Sequence, residues 1–361
     1  MIKTFDKYFI KLFFKKILLL TLIFFSLTFI LSLFEEITFF SDSSNSKFHL
    51  PFMITFLNVP STLLEIFPFI VLISTQLFFV EIIKRKENEL IKINRLDNFY
   101  LIRLLVLCSF LFGIIIITLY YPISSKLKFF YFDIKNIYSE DGKYLKHYSG
   151  NGLWIKDEID NEVYIINASY DNKDKFLENV FINKFDKDFN LIESISSKKA
   201  DITLNEWEIE NPIIFRDNKQ IQLEKNIKLL SHFNFDKINK TFRDLNSLNL
   251  FELINLKKEN KELGYSSQEV DLHFLRIISL PVYLSIMVII SAIIMLNIKR
   301  DKPYIFHVLL GILLSVIIYY INNIFNIFGL TDKIPIYLSV FFPIIFLSIV
   351  STIGLVRINE K

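Results

Sequence analysis

The chain has 361 residues, of which 52% are hydrophobic and 22% are charged. A mean hydropathy of +0.39 is too apolar for an ordinary soluble protein, yet the charged fraction is high for a simple membrane bundle. Both figures fit a protein whose charges are concentrated in one soluble region. The net charge of only +3 does not indicate a nucleic-acid partner. The single cysteine, Cys108, excludes an intrachain disulfide.

Six stretches of the chain are apolar enough to cross a bilayer, a crossing that takes about 20 apolar residues. They lie near residues 17–34, 62–83, 100–121, 275–297, 304–325 and 336–356. The first has a basic flank but no small-residue cleavage site, so we expect an uncleaved anchor helix rather than a signal peptide. The sequence therefore predicts a membrane part in residues 1–124 and 271–361 and a separate domain in residues 125–270.

The placement of lysine and arginine predicts the orientation, because basic residues concentrate in short cytoplasmic loops. Two of the short loops are poor in basic residues and carry only Lys47 and Lys333, respectively, which predicts that they lie outside the cytoplasm. Basic residues cluster before the first stretch, after the second and the fourth, and in the tail, at Lys3, Lys7, Lys11, Lys15, Lys16, Lys84, Arg85, Lys86, Lys92, Arg95, Lys299, Arg300, Lys302, Arg357 and Lys361. We therefore expect both termini in the cytoplasm and residues 125–270 across the membrane.

The middle segment has the pattern of many short strands separated by polar turns, which is typical of a sandwich or jelly roll. The predicted strands are residues 144–148, 153–155, 163–168, 180–185, 191–196, 200–204, 206–210 and 212–215. After them the pattern turns helical over residues 250–262, and Gly264 is a plausible stop. The predicted fold class is a six-helix membrane protein with an all-β, jelly-roll-like domain.

Several short motifs resemble one family of membrane permeases. The segment Asn151-Gly-Leu-Trp-Ile-Lys-Asp157 resembles the GLW-x-KD signature of the LptG branch of lipopolysaccharide export permeases. Other matching pieces occur in the family's order, at Asn58-Val-Pro60, Ile66-Phe-Pro68, Asn88-Glu-Leu90, 200–211 around Trp207, and 329–343. The chain is thus similar over its whole length to the LptF/LptG family, and most like LptG.

The resemblance implies a permease subunit of an ATP-driven exporter in the inner membrane, with a periplasmic domain, no catalytic residues and no cofactor. Its substrate would be lipopolysaccharide, extracted from the membrane and passed along a jelly-roll bridge toward the outer membrane. The implied partners are an LptF-type permease as the other half of a heterodimer, an LptB-type ATPase dimer, an LptC-type single-helix jelly-roll protein and an LptA-type periplasmic bridge.

The sequence contains no phosphate-binding loop of the form G-x-x-x-x-G-K-[ST], since its Gly142-Lys143 pair is followed by Tyr144. We therefore expect ATP hydrolysis in a partner, and the cytoplasmic loop 84–98 is the candidate contact. It can form a short helix that docks in a groove of the ATPase, although an ordinary basic loop on the membrane surface is the alternative. The candidate coupling residues are Glu87, Glu89, Leu90, Ile91 and Arg95.

A carrier of lipopolysaccharide needs an apolar cavity with basic groups at its rim, because lipid A carries acyl chains and phosphates. Lys126 and Lys128 are phosphate candidates, or lysines that snorkel to the interface. Asn322 is expected to bond across helices or to face the cavity. Trp154 and Trp207, with Ile165 and Ile209, are predicted to line the interior of the β-domain, as an acyl-chain site or as an ordinary closed core.

Polar groups within membrane spans invite a functional interpretation. Glu65 precedes Pro68 by about one turn, near the outer interface, where an exposed interfacial acid is the simpler interpretation. Five dispersed histidines and a lone cysteine predict no metal site. Two other functions stay open at this point: a permease or mechanotransmission subunit of another ATP-driven envelope export complex, and a membrane-anchored envelope enzyme, for which no catalytic arrangement is visible.

Overall fold

The structure is a computed structural model that describes residues 4–41, 49–85, 98–138, 153–159, 162–170, 175–216, 219–222, 225–235, 237–238, 244–262, 265–297 and 303–359. The chain divides into two compact units. A helical unit falls within residues 1–127 and 268–361, and a strand unit falls within residues 128–267. The predicted sites at Glu87, Glu89, Leu90, Ile91 and Arg95, the strand at 144–148 and the stop at Gly264 lie outside the described residues.

The helices lie in the chain before the strands and after them. In chain order they are α1 Thr4–Ser41, α2 Leu50–Lys84, α3 Asn98–Ile115, α4 Tyr121–Tyr138, α5 Leu250–Glu262, α6 Gln268–Leu296, α7 Tyr304–Leu330 and α8 Ile336–Asn359. A π-helical turn, Ile116–Tyr120, joins α3 to α4. Within the described ranges, six helical segments are long and apolar enough to span a membrane, which confirms the six predicted spans.

The third span is longer than predicted, because helix continues from Phe99 to Tyr138. The first predicted strand, at 144–148, comes after the end of this helix, and the helix crosses the predicted domain boundary at residue 125. Beyond the apolar run, Tyr121, Ser124, Tyr131 and Lys135 are buried at intervals of three, seven and four residues, which is the spacing of one helix face. Tertiary burial of that face keeps this polar stretch helical. The fourth span begins at Gln268, also earlier than predicted.

The helical unit is held together by close-packed apolar and aromatic side chains. Phe13 and Phe78 meet edge to face with ring centroids 6.1 Å apart, which ties α1 to α2. Two glycines permit close approach of helices. A Cβ on Gly113 would stand 2.6 Å from the Cα of Pro281, and one on Gly311 would overlap the side-chain amide of Gln76. Such small residues are typical of helix packing in membranes.

The strand unit contains one antiparallel sheet of eight described strands that curls into a half-barrel. The strands are β1 Leu153–Ile159, β2 Glu162–Tyr170, β3 Phe176–Phe185, β4 Leu191–Asp201, β5 Glu206–Ile209, β6 Ile213–Arg216, β7 Lys219–Gln222 and β8 Ile227–Leu230. Their order is β1-β2-β3-β4-β5-β8, and β6 pairs with both β4 and β7. The predicted class, membrane helices with a β-domain, is confirmed.

Two details of the strand prediction are wrong. The predicted strand at 200–204 is the end of β4, which continues to Asp201, and β7 and β8 were not foreseen. The predicted strands at 206–210 and 212–215 correspond to β5 and β6, and Asn211, with φ 44°, separates them. A left-handed backbone conformation at this position turns the chain, and asparagine tolerates it better than most residues. The predicted helix 250–262 matches α5.

Alternate residues of the strands build the core on one side of the sheet. Leu153 and Ile155 of β1 are buried and pair with Ala168 and Ile166 of β2. Trp207 is fully buried, and its indole N–H donates to the carbonyl of Phe233 over 2.6 Å. Since successive side chains of a strand point to opposite faces, this core determines which side chains of the sheet remain outside.

Candidate functional site

A cleft opens among three helices of the helical unit. Its volume is about 310 Å³, which is at the lower end of the range for small-molecule sites. Residues of α2, α6 and α7 line it: Glu65, Ile66, Pro68, Phe69, Tyr283, Met287, Ser315, Val316, Tyr319 and Tyr320. The walls are apolar and aromatic, and the carboxylate of Glu65 is the acidic group among these residues.

Local sequence explains how the three helices form this cleft. Pro68 cannot donate the backbone hydrogen bond expected at its position in α2, which weakens the helix at the wall of the cleft. On α7, Gly311 lets Gln76 of α2 approach closely, and the Gln76 amide donates to the carbonyl of His307 over 3.0 Å. The cleft begins one turn further along α7, at the small side chain of Ser315.

Tyr283 connects two of the helices at the cleft. The side-chain amide of Asn322 on α7 donates a hydrogen bond of 2.6 Å to the Tyr283 hydroxyl oxygen on α6. Because that oxygen accepts, the hydroxyl proton remains available to another group. Asn322 itself is not among the lining residues. The prediction that Asn322 bonds across helices is confirmed, and its contact with substrate stays a prediction.

The depth of the cleft follows from the rise of an α-helix, 1.5 Å per residue. Glu65 lies about 28 Å along α2 from its end at Lys84. Tyr283 lies about 20 Å from the end of α6 at Leu296, and Tyr319 about 22 Å from the start of α7 at Tyr304. With an apolar bilayer core of about 30 Å, the cleft occupies the half of the helical unit away from these three ends.

The two candidate phosphate-binding lysines, Lys126 and Lys128, lie on α4, which continues the third span. Lys126 is exposed on the helical unit. Lys128, in the strand unit, has its ammonium over two rings of its own helix, 4.7 Å from the centroid of Tyr131 and 4.8 Å from that of Phe132. Such cation–π contacts hold the Lys128 head group against the protein. Phosphate binding at either residue stays a prediction.

Trp154 and Trp207, both predicted to line the interior of the β-domain, lie on opposite faces of the sheet. Trp207 belongs to the buried core, whereas the side chain of Trp154 is 52% exposed. Trp154 alternates with Leu153 and Ile155, and these aliphatic residues take the inward positions of β1. Ile165, paired with Lys156, lies on the outer face with Trp154. The prediction that Trp154 and Ile165 line the interior is therefore wrong.

Next to the predicted coupling loop, charged residues tie α1 to both neighbouring helix ends. Glu81 near the end of α2 forms ion pairs with Lys16 of α1 and with Arg85, the latter at 2.5 Å. Beyond the loop, the Tyr100 hydroxyl of α3 donates to Asp6 of α1 over 2.7 Å. The described residues on either side of the loop are thus both anchored to α1.

A scan against protein-family models matches residues 7–357 to the lipopolysaccharide export system permease LptF/LptG. The chain belongs to the LptF/LptG family. This match covers essentially the whole chain, and it does not separate LptF from LptG. A search of the curated proteins finds no match. Six apolar helices and the family together indicate a multi-pass inner-membrane protein of lipopolysaccharide export.

In this LptF/LptG family member, the motif that carries the resemblance has a structural role. Asp157, the last residue of GLW-x-KD, is 2% exposed and accepts hydrogen bonds from the Ser231 hydroxyl at 2.7 Å and the His232 backbone N–H at 2.9 Å. The ring nitrogen Nδ1 of His232 lies 2.8 Å from Oδ1, the other carboxylate oxygen of Asp157. Ser231 contacts the carboxylate and not the imidazole, so the three residues do not form a nucleophilic triad.

The sequence analysis missed most of the cleft of this family member. Tyr283, Tyr319 and Tyr320 lie within apolar spans and have no motif around them. One available signal was the spacing of Arg276, Tyr283 and Met287, since residues seven and four apart share a helix face. In the described part of the chain no group of three histidine, cysteine, aspartate or glutamate side chains is placed to hold a metal ion.

Proposed function

We propose that this chain is the permease subunit of an ATP-driven lipopolysaccharide exporter, and that the cleft among α2, α6 and α7 contacts the exported lipid. The observation that carries the proposal is an aromatic and apolar cleft in one half of a six-helix unit whose family is that of lipopolysaccharide export permeases. Apolar walls suit acyl chains, because burying them from water is favourable.

The orientation supports entry of lipid from the outer leaflet. The basic residues beside Lys84 and Tyr304 favour the cytoplasm for these helix ends under the positive-inside rule. The cleft is then in the outer half of the membrane part, residues 1–124 and 271–361, and the predicted domain 125–270 is periplasmic. Both termini are cytoplasmic in this arrangement.

Coupling to ATP hydrolysis is assigned to the loop 84–98, with Glu87, Glu89, Leu90, Ile91 and Arg95 docking on an LptB-type ATPase dimer. The anchoring of both sides of the loop to α1 supports this assignment. A displacement of the loop would move α1, α2 and α3 together. Lys16 pairs with Glu81 and Tyr8 accepts a hydrogen bond from Arg85, which links the first two helices, and Asp6 with Tyr100 links the third.

The strand unit is assigned to the onward transfer of lipid. The hydrogen-bonded path of the described sheet ends at β1 and at β8. Edge strands offer backbone groups for pairing with another sheet. An LptC-type jelly-roll protein and an LptA-type bridge would extend the sheet in this way, and an LptF-type permease would complete the membrane channel. This chain itself has a non-catalytic role.

Depletion of the protein in its host tests the proposal. Newly made lipopolysaccharide should then accumulate in the inner membrane, and an LptB-type ATPase and an LptF-type permease should co-purify with the tagged wild-type chain. Glu89→Arg should reduce recovery of the ATPase, whereas Lys187→Glu, a change on an exposed turn of the strand unit, should leave it unchanged. Normal arrival of lipopolysaccharide at the outer membrane after depletion would contradict the proposal.

A further inference from the structure

The cleft combines four aromatic rings with one carboxylate. Phe69 of α2, Tyr283 of α6 and Tyr319 and Tyr320 of α7 surround the same space as Glu65. The faces of aromatic rings carry negative electrostatic potential, and rings arranged around a carboxylate are the chemistry by which proteins bind ammonium groups. A phosphate at this point would be repelled by Glu65.

Glu65 has no counter-ion within the described parts of the protein. It forms no ion pair and no hydrogen bond there, although its neighbours include three tyrosines. Glu65 is exposed to the cleft and lies near the outer boundary of the apolar core, where a carboxylate can keep its charge. The carboxylate therefore lacks the partner that would stabilise its charge, and a cation entering the cleft would supply it.

A cation is also present beyond the outer side of the cleft. Arg276 precedes Tyr283 by two turns of α6 on the same helix face, about 10 Å nearer the Gln268 end. Its side chain is exposed. Glu65 lines the cleft and Arg276 lies outside it, toward the Gln268 end of α6, so a head group with an amine in the cleft could carry its phosphate on the side of Arg276.

We propose that the cleft binds the primary ammonium group of an amine-bearing lipid head group, with Glu65 as its counter-ion and the tyrosine rings as its walls. The volume of about 310 Å³ accommodates a head-group substituent rather than a whole lipopolysaccharide molecule. The inference rests on the proposed function in taking the bound molecule to be a membrane lipid that this permease handles. It assigns to the cleft a selectivity for amines that apolar walls alone would not produce.

Lipid binding by the purified permease complex in nanodiscs tests this inference. The probes are amine-bearing lipopolysaccharide and the same material after N-acetylation, with phosphatidylethanolamine and its N-acetyl derivative as a second pair. Wild-type protein should bind the free-amine form about tenfold better than the acetylated form, within the range expected for a cation held by aromatic rings and an acid. Preference within the first pair identifies an aminated lipopolysaccharide as the source, and preference within the second identifies a phospholipid.

The matched variants are Glu65→Gln and Glu35→Gln. Both remove an exposed acid from the helical unit, but Glu35 is not among the residues that line the cleft. Glu65→Gln should abolish the preference for free amine, Tyr319→Leu should reduce it, and Glu35→Gln should keep it. Equal binding of free and acetylated lipids by the wild type, or an unchanged preference in Glu65→Gln, would overturn the inference.

Failure of the proposed function has a different signature. If the wild-type complex bound no lipopolysaccharide in either form, and depletion left lipopolysaccharide export intact, the proposed export function would be wrong. If lipopolysaccharide bound and export depended on the protein, but N-acetylation of the lipid did not change its binding, only the proposed ammonium site would be wrong.

Discussion

Tyr265 and Asp157 show how single polar side chains organise the strand unit. The Tyr265 hydroxyl oxygen accepts a hydrogen bond of 2.9 Å from the backbone N–H of Lys156, and its ring meets that of Phe233 edge to face at 5.9 Å. The neighbouring Asp157 holds the turn at Ser231 and His232. Burial raises the pKa of Tyr265 to about 12, so the neutral phenol is the form that the fold accepts.

We predict that the stability of the strand unit falls as pH rises from about 10 to about 12. The folded-state pKa of Tyr265 is raised above the ordinary value of 10.0, so its contribution is fully present below pH 10 and lost as the pH rises through the folded pKa. One pKa unit corresponds to about 1.4 kcal/mol, so the shift of two units puts the full loss at about 3 kcal/mol. Tyr265→Phe should flatten this part of the stability profile.

Tryptophan fluorescence provides the measurement, because the chain has two tryptophans and both lie in the strand unit. Thermal unfolding of the Trp154→Phe protein then reports on the buried Trp207 alone. Tyr164→Phe serves as a comparison, because burial and the hydrogen bond to Glu162 raise the pKa of Tyr164 as well, and it should flatten the profile less than Tyr265→Phe does. An equally steep alkaline fall in the Tyr265→Phe protein would count against the assignment.

At the scale of elements, α5 shows how local sequence alone can specify a helix. The side chain of Asn249 accepts hydrogen bonds from the backbone N–H groups of Phe251 and Glu252, both at 3.0 Å. Glu252 reciprocates by accepting from the Asn249 N–H at 2.8 Å. This is a capping box with asparagine as the cap, and it explains why the helix begins where the sequence pattern predicts.

Replacement of this cap should cost stability. We expect Asn249→Ala to lower the free energy of unfolding of the strand unit by about 1 kcal/mol, because two backbone donors lose their acceptor. Asn255→Ala, the same chemical change at an exposed position of α5, should alter it by less than about 0.5 kcal/mol. Denaturant unfolding followed by Trp207 fluorescence compares the two, and equal losses would refute the capping role.

Elsewhere, element boundaries depended on tertiary burial. The apolar run of the third span ends near Tyr121, yet helix continues to Tyr138 because one face of α4 is buried. Apolar length alone does not predict this extension, because α4 is amphipathic rather than uniformly apolar.

For the whole molecule, orientation in the membrane is the property on which the proposed transport depends. The turn at Lys187 belongs to the strand unit and is exposed, and Lys84 is exposed at the end of α2. The positive-inside rule puts these two residues on opposite sides of the bilayer. The single native cysteine, Cys108, is buried and can be replaced without leaving another thiol.

We predict that a membrane-impermeant maleimide labels Lys187→Cys in cells with a permeabilised outer membrane, in a Cys108→Ser background. Lys84→Cys in the same background should react only after the inner membrane is broken. Mass shift of the purified protein measures the labelling. The reverse pattern, with Lys84→Cys reactive in intact cells, would invert the topology and remove the basis for the proposed transport route.

The sequence by itself determined the membrane class, the six spans, the β-rich character of the middle segment and the family resemblance. These properties depend on apolar length, period-two alternation and ordered motifs, all of which are local in the chain. Only the tertiary structure decided that Trp154 faces outward, that α4 prolongs the third span, and that Glu65 shares a cleft with Tyr283 and Tyr319. Those outcomes depend on which faces of helices and strands distant in sequence pack together, and this packing cannot be predicted from local sequence.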